Sequence, residues 1–178
     1  MKPKIISLSG SARNGKTTSC EMLEEMLAHR GKRCLRMSYG DYVKEIARKY
    51  YGWDGKKDEA GRTLLQQLGT EKVRNRYPAF WVEHIVRLVE YVLCDDFDYI
   101  LIDDARFPDE VYKWDVNGYD IVTILVKRPG FDNGLTEEQK NHISETAMTG
   151  FEFDYHVRVE GLANLYNALW EIAMGVDV

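Results

Sequence analysis

The stretch GSARNGKTT, residues 10–18, constrains the fold of this chain more than any other. A short apolar run, KIISLS at residues 4–9, precedes it, and a segment with apolar residues near helical spacing follows it. In this context the pattern GxxxxGK[ST] is typical of a phosphate-binding loop. Its glycines let backbone N–H groups curl toward an anion, and the next helix directs its positive N-terminus at the same anion. The stretch therefore predicts a site for the phosphates of a nucleoside triphosphate.

Two side chains of this loop have specific predicted roles. Lys16 can reach the β- and γ-phosphates of ATP, and the Thr17 hydroxyl can bind Mg²⁺, which prefers oxygen ligands. We expect the rest of the loop to surround the triphosphate. The predicted ATP-binding residues are Gly10, Ala12, Arg13, Asn14, Gly15, Lys16, Thr17 and Thr18.

Predicted strands alternate with predicted helices along the chain. The runs YILI and IVTILV are apolar on both faces, which requires helices on both sides of the sheet. We therefore predict a three-layer α/β/α fold around a mostly parallel sheet, in one domain of residues 1–178. Strands are predicted at 4–9, 34–37, 99–102, 121–126 and 155–159, and helices at 16–29, 41–50, 62–76, 80–93 and 162–174.

Composition excludes several classes of partner. With 24 Lys+Arg against 29 Asp+Glu, the chain has a net charge of −5, which disfavours binding to a nucleic-acid polymer. Its apolar runs fall short of the roughly 20 residues that span a bilayer, so no membrane partner is expected. Cys20, Cys34 and Cys94 are widely spaced and are predicted to be buried thiols in a reducing compartment. These features predict a cytoplasmic protein.

A strand-end segment, DDARFPDE at residues 103–110, carries charged side chains that suit a second ligand. Ligands in parallel α/β sheets bind at the carboxyl ends of the strands. A carboxylate there, Asp104, can hold Mg²⁺ directly or through water, and Arg106 can bind a phosphate through its guanidinium group.

Two further segments could contribute to the same site. On the predicted helix 62–76, the side chains of Arg62, Gln66 and Arg74 share one face with either Thr70 or Gly69, which suits a phosphate and a base edge. Trp81 could stack on a base or belong to the core. The polar stretch after Arg128 could close over the nucleotide and bring that cation to the transferred phosphoryl group. These segments predict an acceptor site that faces the phosphate-binding loop.

Five segments, spread over most of the chain, together resemble the sequence pattern of one known family. They are GSARNGKTT, YGDYVKEIA, RTLLQQLGTEKVR followed by WV, DDARFPDE and NHISE, and the matching part runs from residue 5 to about 145. This combination resembles the deoxynucleoside monophosphate kinases of bacteriophages, within the P-loop nucleoside monophosphate kinases. RxLLQxLGTExxR and DxRFPxE are the specific motifs, because many unrelated NTPases share the phosphate-binding loop. The tail departs from the family pattern at Glu160, so its role stays open.

The resemblance implies transfer of a phosphoryl group from ATP to a deoxynucleoside monophosphate (dNMP), in the host cytoplasm for a phage protein. It also implies a five-stranded parallel sheet, a monophosphate-binding helical region at 38–95 and a lid at 128–150, and it allows a homodimer. The implied catalytic residues are Lys16, Arg106 and Arg128, and Thr17 and a strand-end aspartate would hold Mg²⁺; the motif favours Asp104 over Asp103, and the sequence does not decide between them. The implied substrate-binding residues are Asp41, Lys44, Arg62, Gln66, Arg74, Trp81, Asp104, Arg106 and Glu145.

Two alternatives remain open at the level of sequence. The chain could phosphorylate another small acceptor, of the dephospho-coenzyme A, shikimate or gluconate type, with Asp104 as the base that a hydroxyl acceptor requires. It could instead be a regulatory module that binds NTP without catalysis. The arginine-rich predicted helix disfavours a neutral acceptor, and the sequence does not define the preferred base or sugar.

Overall fold

The computed structural model describes residues 2–176, so residues 1, 177 and 178 of the predicted domain lie outside the described range. The described part contains a five-stranded sheet in the order β2-β3-β1-β4-β5, and each of its pairings is parallel. The predicted α/β/α fold with a five-stranded parallel sheet is confirmed. The strands are β1 (Lys4–Ser9), β2 (Cys34–Met37), β3 (Tyr99–Ala105), β4 (Ile121–Lys127) and β5 (Tyr155–Arg158).

Helices cover both faces of the sheet, and two of them continue as π-helical turns. In chain order they are α1 (Lys16–Ala28), α2 (Tyr39–Tyr51), α3 (Glu59–Gln66) with its π-helical continuation Gln67–Arg74, α4 (Phe80–Leu88) with its continuation Val89–Leu93, α5 (Asp109–Val116), α6 (Glu137–Asn141), α7 (Ile143–Thr146) and α8 (Leu162–Val176). Within residues 2–176, no helix combines the length and the apolar character needed to cross a lipid bilayer.

The strands bury alternate residues in two separate cores. Ile5 of β1 and Ile100 of β3 pack with α2, α4 and α5, whereas their neighbours Ile6 and Leu101 pack with α1 and α8. Side chains on a strand alternate between its faces, so a strand covered on both sides must be apolar throughout. This requirement explains the continuous apolar runs of the sequence.

An irregularity in β3 lies at the carboxyl end of the sheet. Ser7 of β1 pairs with Ile102, but Ser9 pairs with Ala105, so β3 has one residue more than β1 between these pairs. Such a bulge changes the direction in which neighbouring side chains point. It separates the adjacent carboxylates Asp103 and Asp104, which lie in this interval.

Local hydrogen bonds account for the differences from the predicted elements. The third helix begins at Glu59, before its predicted start at Arg62, because the Asp58 side chain accepts a hydrogen bond from Gly61 N and caps the helix. The predicted strand 99–102 extends to Ala105, and helix α5 follows where only a strand-end turn was expected. Among the predicted buried thiols, Cys20 is buried, whereas Cys34 and Cys94 are half-buried.

Candidate active site

A cavity of about 410 Å³ lies at the carboxyl ends of β1 and β3. Elements distant in sequence meet there: the loop before α1, the start of α2, helix α3 with its π-helical continuation, the end of β3, and the segment after β4. The predicted site residues that line it are Ala12, Arg13, Lys16, Thr17, Lys44, Arg62, Gln66, Arg74, Trp81, Asp104, Arg106 and Glu145.

The loop before α1 approaches the neighbouring strand so closely that only glycine fits at its start. Gly10 has a φ of +142°, and a Cβ atom there would lie 2.2 Å from the carbonyl oxygen of Val126. The side chain of Lys16 is buried and folds over the loop, where its Nζ donates to Gly10 O at 2.7 Å and to Ser11 O at 2.9 Å. The loop therefore holds the ammonium group at the cavity wall.

Asp103 and Asp104 have different partners on the two sides of the bulge. The Thr17 hydroxyl donates to Asp103 Oδ2 at 3.1 Å, and the Ser38 hydroxyl donates to the other Asp103 oxygen. The two Asp104 oxygens instead accept Tyr39 N and Gly40 N, each at 2.8 Å, at the N-terminus of α2. Asp104 thus caps a helix, and Asp103 is the carboxylate beside Thr17.

A second group of cations faces this loop across the cavity. Lys44, Lys57, Arg62 and Arg106 all line it, and Arg62 Nε is held by Lys57 O at 2.9 Å. Burial lowers the pKa of Lys57, and the charges of Lys44, Arg62 and Arg106 lower it further. An anion bound among these groups would relieve their repulsion.

The opposite end of the cavity is apolar and aromatic. Trp81 is buried yet lines the cavity, and its indole Nε1 donates to Gly69 O at 2.9 Å. Val43 and Leu65 lie on the same wall, and Gln66 adds an amide. A flat ring would find apolar contacts and a hydrogen-bonding group at this end.

Comparison with solved structures identifies proteins with a similar fold. No protein-family model and no curated protein sequence matches this chain. The APS kinase CysC of Mycobacterium tuberculosis, solved with AMPPNP and APS, has a TM-score of 0.51 at 14% identity, with 99% of this chain and 96% of that chain covered. TT1252 of Thermus thermophilus gives 0.53 at 16% identity with 100% of both chains covered, and APE1195 gives 0.55 at 16%, covering 98% and 96%.

The chain has the fold of the P-loop kinases. At such identities the likeness shows the fold alone, so the deoxynucleoside monophosphate kinase family stays a prediction. Within this P-loop kinase fold, Thr17 and Asp103 offer a hydroxyl and a carboxylate oxygen, which are the donors that Mg²⁺ prefers.

Two predicted ligands, Arg74 and Asp41, have other partners in the structure. Arg74 is buried and donates to both oxygens of Asp109, at 2.8 and 2.9 Å, and also to Glu110. Asp41 is exposed and accepts Lys44 Nζ at 2.6 Å, outside the cavity lining of residues 2–176. Gly10, Asn14, Gly15 and Thr18 belong to the loop but likewise do not appear in that lining.

Arg128 also lies outside this lining. It is exposed after β4, and its guanidinium group stacks on the Phe131 ring at 4.1 Å. The Arg128→Ala change is therefore expected to leave kcat within about fivefold of wild type, because exposed charges contribute little. Steady-state kinetics checks this, and a kcat loss as large as that of Lys16→Ala would show that Arg128 enters the cavity during turnover.

The segment 128–150 contacts both walls of the cavity through its helices. Glu145 pairs with Arg106, which also donates to Ser144 O at 3.2 Å. Gln139 Nε2 donates to Glu59 O at 3.3 Å, which joins α6 to the start of α3. Leu135, Ser144 and Glu145 of this segment line the cavity, and its role as a lid stays a prediction.

Lys16 is expected to make ATP binding depend on pH. Burial and, to a lesser extent, the charge of Arg106 lower its pKa to about 8, against the opposing charges of Glu145, Asp104 and Asp103. Bound phosphates favour the ammonium form and raise this pKa, so above about pH 8 the free protein has lost a proton that the complex retains. ATP binding should therefore take up a proton and weaken as pH rises through this range.

Calorimetric titration checks this near pH 9, in two buffers with different ionisation enthalpies. The wild-type binding enthalpy should differ between the buffers, and Lys16→Met should remove the difference. Equal enthalpies for the wild-type protein would contradict a role for Lys16 as the titrating phosphate ligand.

Sequence reasoning missed several lining residues, among them Ser38, Lys57 and Leu135. Lys57 lies in a charged, glycine-containing stretch without periodicity, so nothing local marked it. Asp103 was visible in the DDARFPDE motif, and its place beside Thr17 depends on the β3 bulge.

Proposed function

We propose that this protein is a nucleotide kinase that transfers the γ-phosphate of ATP to a deoxynucleoside monophosphate, giving ADP and dNDP. One observation carries the proposal: the phosphate-binding loop and a second cationic wall open into the same cavity. Lys16 belongs to the first, and Lys44, Lys57, Arg62 and Arg106 to the second. Two anions bound there would face each other.

The charge of the second wall argues for a phosphorylated acceptor. Lys44 and Arg106 already have carboxylate partners, and a monophosphate dianion would supply further counter-charge to this group of cations. The apolar end with Trp81 would then receive the base, and Gln66 offers it an amide. These features favour a nucleoside monophosphate over a neutral sugar.

Catalysis of this reaction is mainly electrostatic. The acceptor phosphate oxygen is already ionised, so no general base is required, and the barrier lies in bringing polyanions together. Lys16 and Arg106 would stabilise charge on the transferred group from two sides. The ion pair between Glu145 and Arg106 would rearrange when the acceptor phosphate binds. The Glu145 carboxylate and the phosphate would then compete for the same guanidinium group.

Magnesium fits at Thr17 and Asp103. The Thr17 hydroxyl and the Asp103 carboxylate would hold the ion, directly or through water, where the motif had favoured Asp104. The ion would neutralise charge on the ATP phosphates when bound. Asp104 is less suited, since both of its oxygens accept backbone N–H groups of α2.

The alternatives have weaker support. A hydroxyl acceptor needs a base, and Asp104, the candidate base, is engaged with Tyr39 N and Gly40 N. The APS kinase with the same fold was solved with AMPPNP and a second ligand, APS, which supports a two-ligand site rather than a module that binds only NTP. One domain and a cytoplasmic location remain parts of the proposal, which also allows a homodimer.

A coupled ADP-release assay tests the proposal. It uses Mg-ATP with a panel of dNMPs and NMPs, dephospho-coenzyme A, shikimate and gluconate, beside a reaction without acceptor. We expect ADP only with some monophosphates. ADP formed equally without acceptor, or only with a hydroxyl acceptor, would overturn the assignment.

A further inference from the structure

Glu110 ends the DDARFPDE motif, and the reaction outlined above gives it no role. It is a buried carboxylate on the first turn of α5. Its Oε2 atom accepts hydrogen bonds from the backbone N–H groups of Arg106, at 2.6 Å, and of Phe107, at 3.1 Å. The carboxylate therefore holds the backbone of Arg106 itself. A single carboxylate thus fixes the turn between β3 and α5.

Arg74 holds this carboxylate from the other side. It donates to Glu110 Oε1 through Nη2, and its guanidinium group lies 3.6 Å from the centre of the Phe107 ring. Asp109 accepts its Nη1. The last residues of RTLLQQLGTEKVR and DDARFPDE therefore meet, and Arg74 is already engaged in ion pairs at the wall of the acceptor cavity.

Each carboxylate oxygen of Glu110 accepts a hydrogen bond from at least one N–H group. None of these N–H groups can accept a hydrogen bond in return. The carboxylate form satisfies them all, whereas an amide at this position would direct an N–H group at a donor. Neutralising Glu110 would also remove one of the two carboxylates that pair with Arg74, the other being Asp109. Burial raises the pKa of Glu110 to about 8, whereas the charge of Arg74 and these hydrogen bonds favour a carboxylate at this position.

We propose that Glu110 is a positioning residue for Arg106, and that Arg74 anchors it rather than binding the acceptor. This inference rests on the proposed function. The hydrogen bonds from the backbone of Arg106 and Phe107 to Glu110 fix the direction in which the Arg106 side chain points. The ion pair between Arg74 and Glu110 joins the π-helical continuation of α3 to this turn. Displacement of a cation by even a small distance weakens its contact with the transferred group.

A double-mutant cycle tests whether Glu110 acts through Arg106. The proteins are wild type, Glu110→Gln, Arg106→Ala and the double variant. Arg106→Ala keeps the backbone N–H that Glu110 binds, so the cycle isolates the direction of the side chain. Glu83→Gln is the matched control, because Glu83 pairs with Lys113 of α5 at 2.7 Å, away from the turn.

We expect Glu110→Gln to lower kcat/KM for the dNMP by about 30-fold, through both a lower kcat and a higher KM for the acceptor, with KM for ATP unchanged. In the Arg106→Ala background the same change should cost less than about threefold. Glu83→Gln should leave kcat/KM near wild type. Equal fold losses of kcat/KM in the wild-type and Arg106→Ala backgrounds would overturn the inference. A loss of kcat/KM explained entirely by a lower thermal unfolding midpoint would overturn it as well.

A second measurement separates this inference from the proposed function. If wild type releases no acceptor-dependent ADP, the proposed function fails, and the cycle is repeated with the dissociation constant of inorganic phosphate. A loss of affinity in Glu110→Gln that disappears in the Arg106→Ala background supports the inference. Additive losses, or no phosphate binding by wild type, overturn it.

Discussion

Replacing Lys16 with alanine is expected to reduce kcat by about 1,000-fold, because a buried ammonium group facing the transferred phosphoryl group stabilises its developing charge. The buried Lys16 side chain holds its Nζ at the carbonyls of Gly10 and Ser11, at the cavity wall. Removing it also leaves those carbonyls without this donor. Acceptor-dependent ADP release measures the effect, and the dissociation constant of the dNMP should change little.

Lys127→Ala is the matched control for this change. Lys127 is an exposed lysine at the end of β4, and it is not in the cavity lining of residues 2–176. We expect its kcat to remain within about twofold of wild type. A Lys16→Ala enzyme with near-normal turnover would mean that the phosphate-binding loop does not contact the transferred group.

The sequence was sufficient where local patterns determine structure. The five predicted strands and the helix after the phosphate-binding loop are present, because continuous apolar runs must be covered on both faces and the loop glycines permit one geometry. The face of Arg62, Gln66 and Arg74 also lines the cavity, even though the helix becomes π-helical from Gln67.

Other features depended on contacts between distant residues. The different tasks of Asp103 and Asp104 arise from a bulge in the pairing of β3 with β1, which two adjacent identical residues do not reveal. Helix α5 begins after Pro108, where the sequence analysis predicted no helix. Arg74 was predicted to bind substrate because of its charge, but the carboxylates that engage it lie on another element.

The two adjacent aspartates are expected to respond differently to the same substitution. Asp103→Asn should reduce kcat by about 100-fold and raise the Mg²⁺ concentration needed for half-maximal activity, because it removes the charge beside Thr17 Oγ1. Its free energy of unfolding should change little, since the amide oxygen can accept from one hydroxyl and the other hydroxyl can turn to accept from the amide N–H. Titration of activity with Mg²⁺ checks this expectation.

Asp104→Asn is the matched comparison, one residue along the chain. Its side chain caps α2 by accepting Tyr39 N and Gly40 N, and an amide can accept from only one of them without directing an N–H group at the other. We expect a loss of about 1–2 kcal/mol in the free energy of unfolding and an unchanged Mg²⁺ requirement. Chemical denaturation measures the free energy of unfolding, and the same titration of activity with Mg²⁺ measures the Mg²⁺ requirement. If the Mg²⁺ requirement instead rises in Asp104→Asn and not in Asp103→Asn, the motif-based choice of Asp104 as the metal ligand is right and the geometric one is wrong.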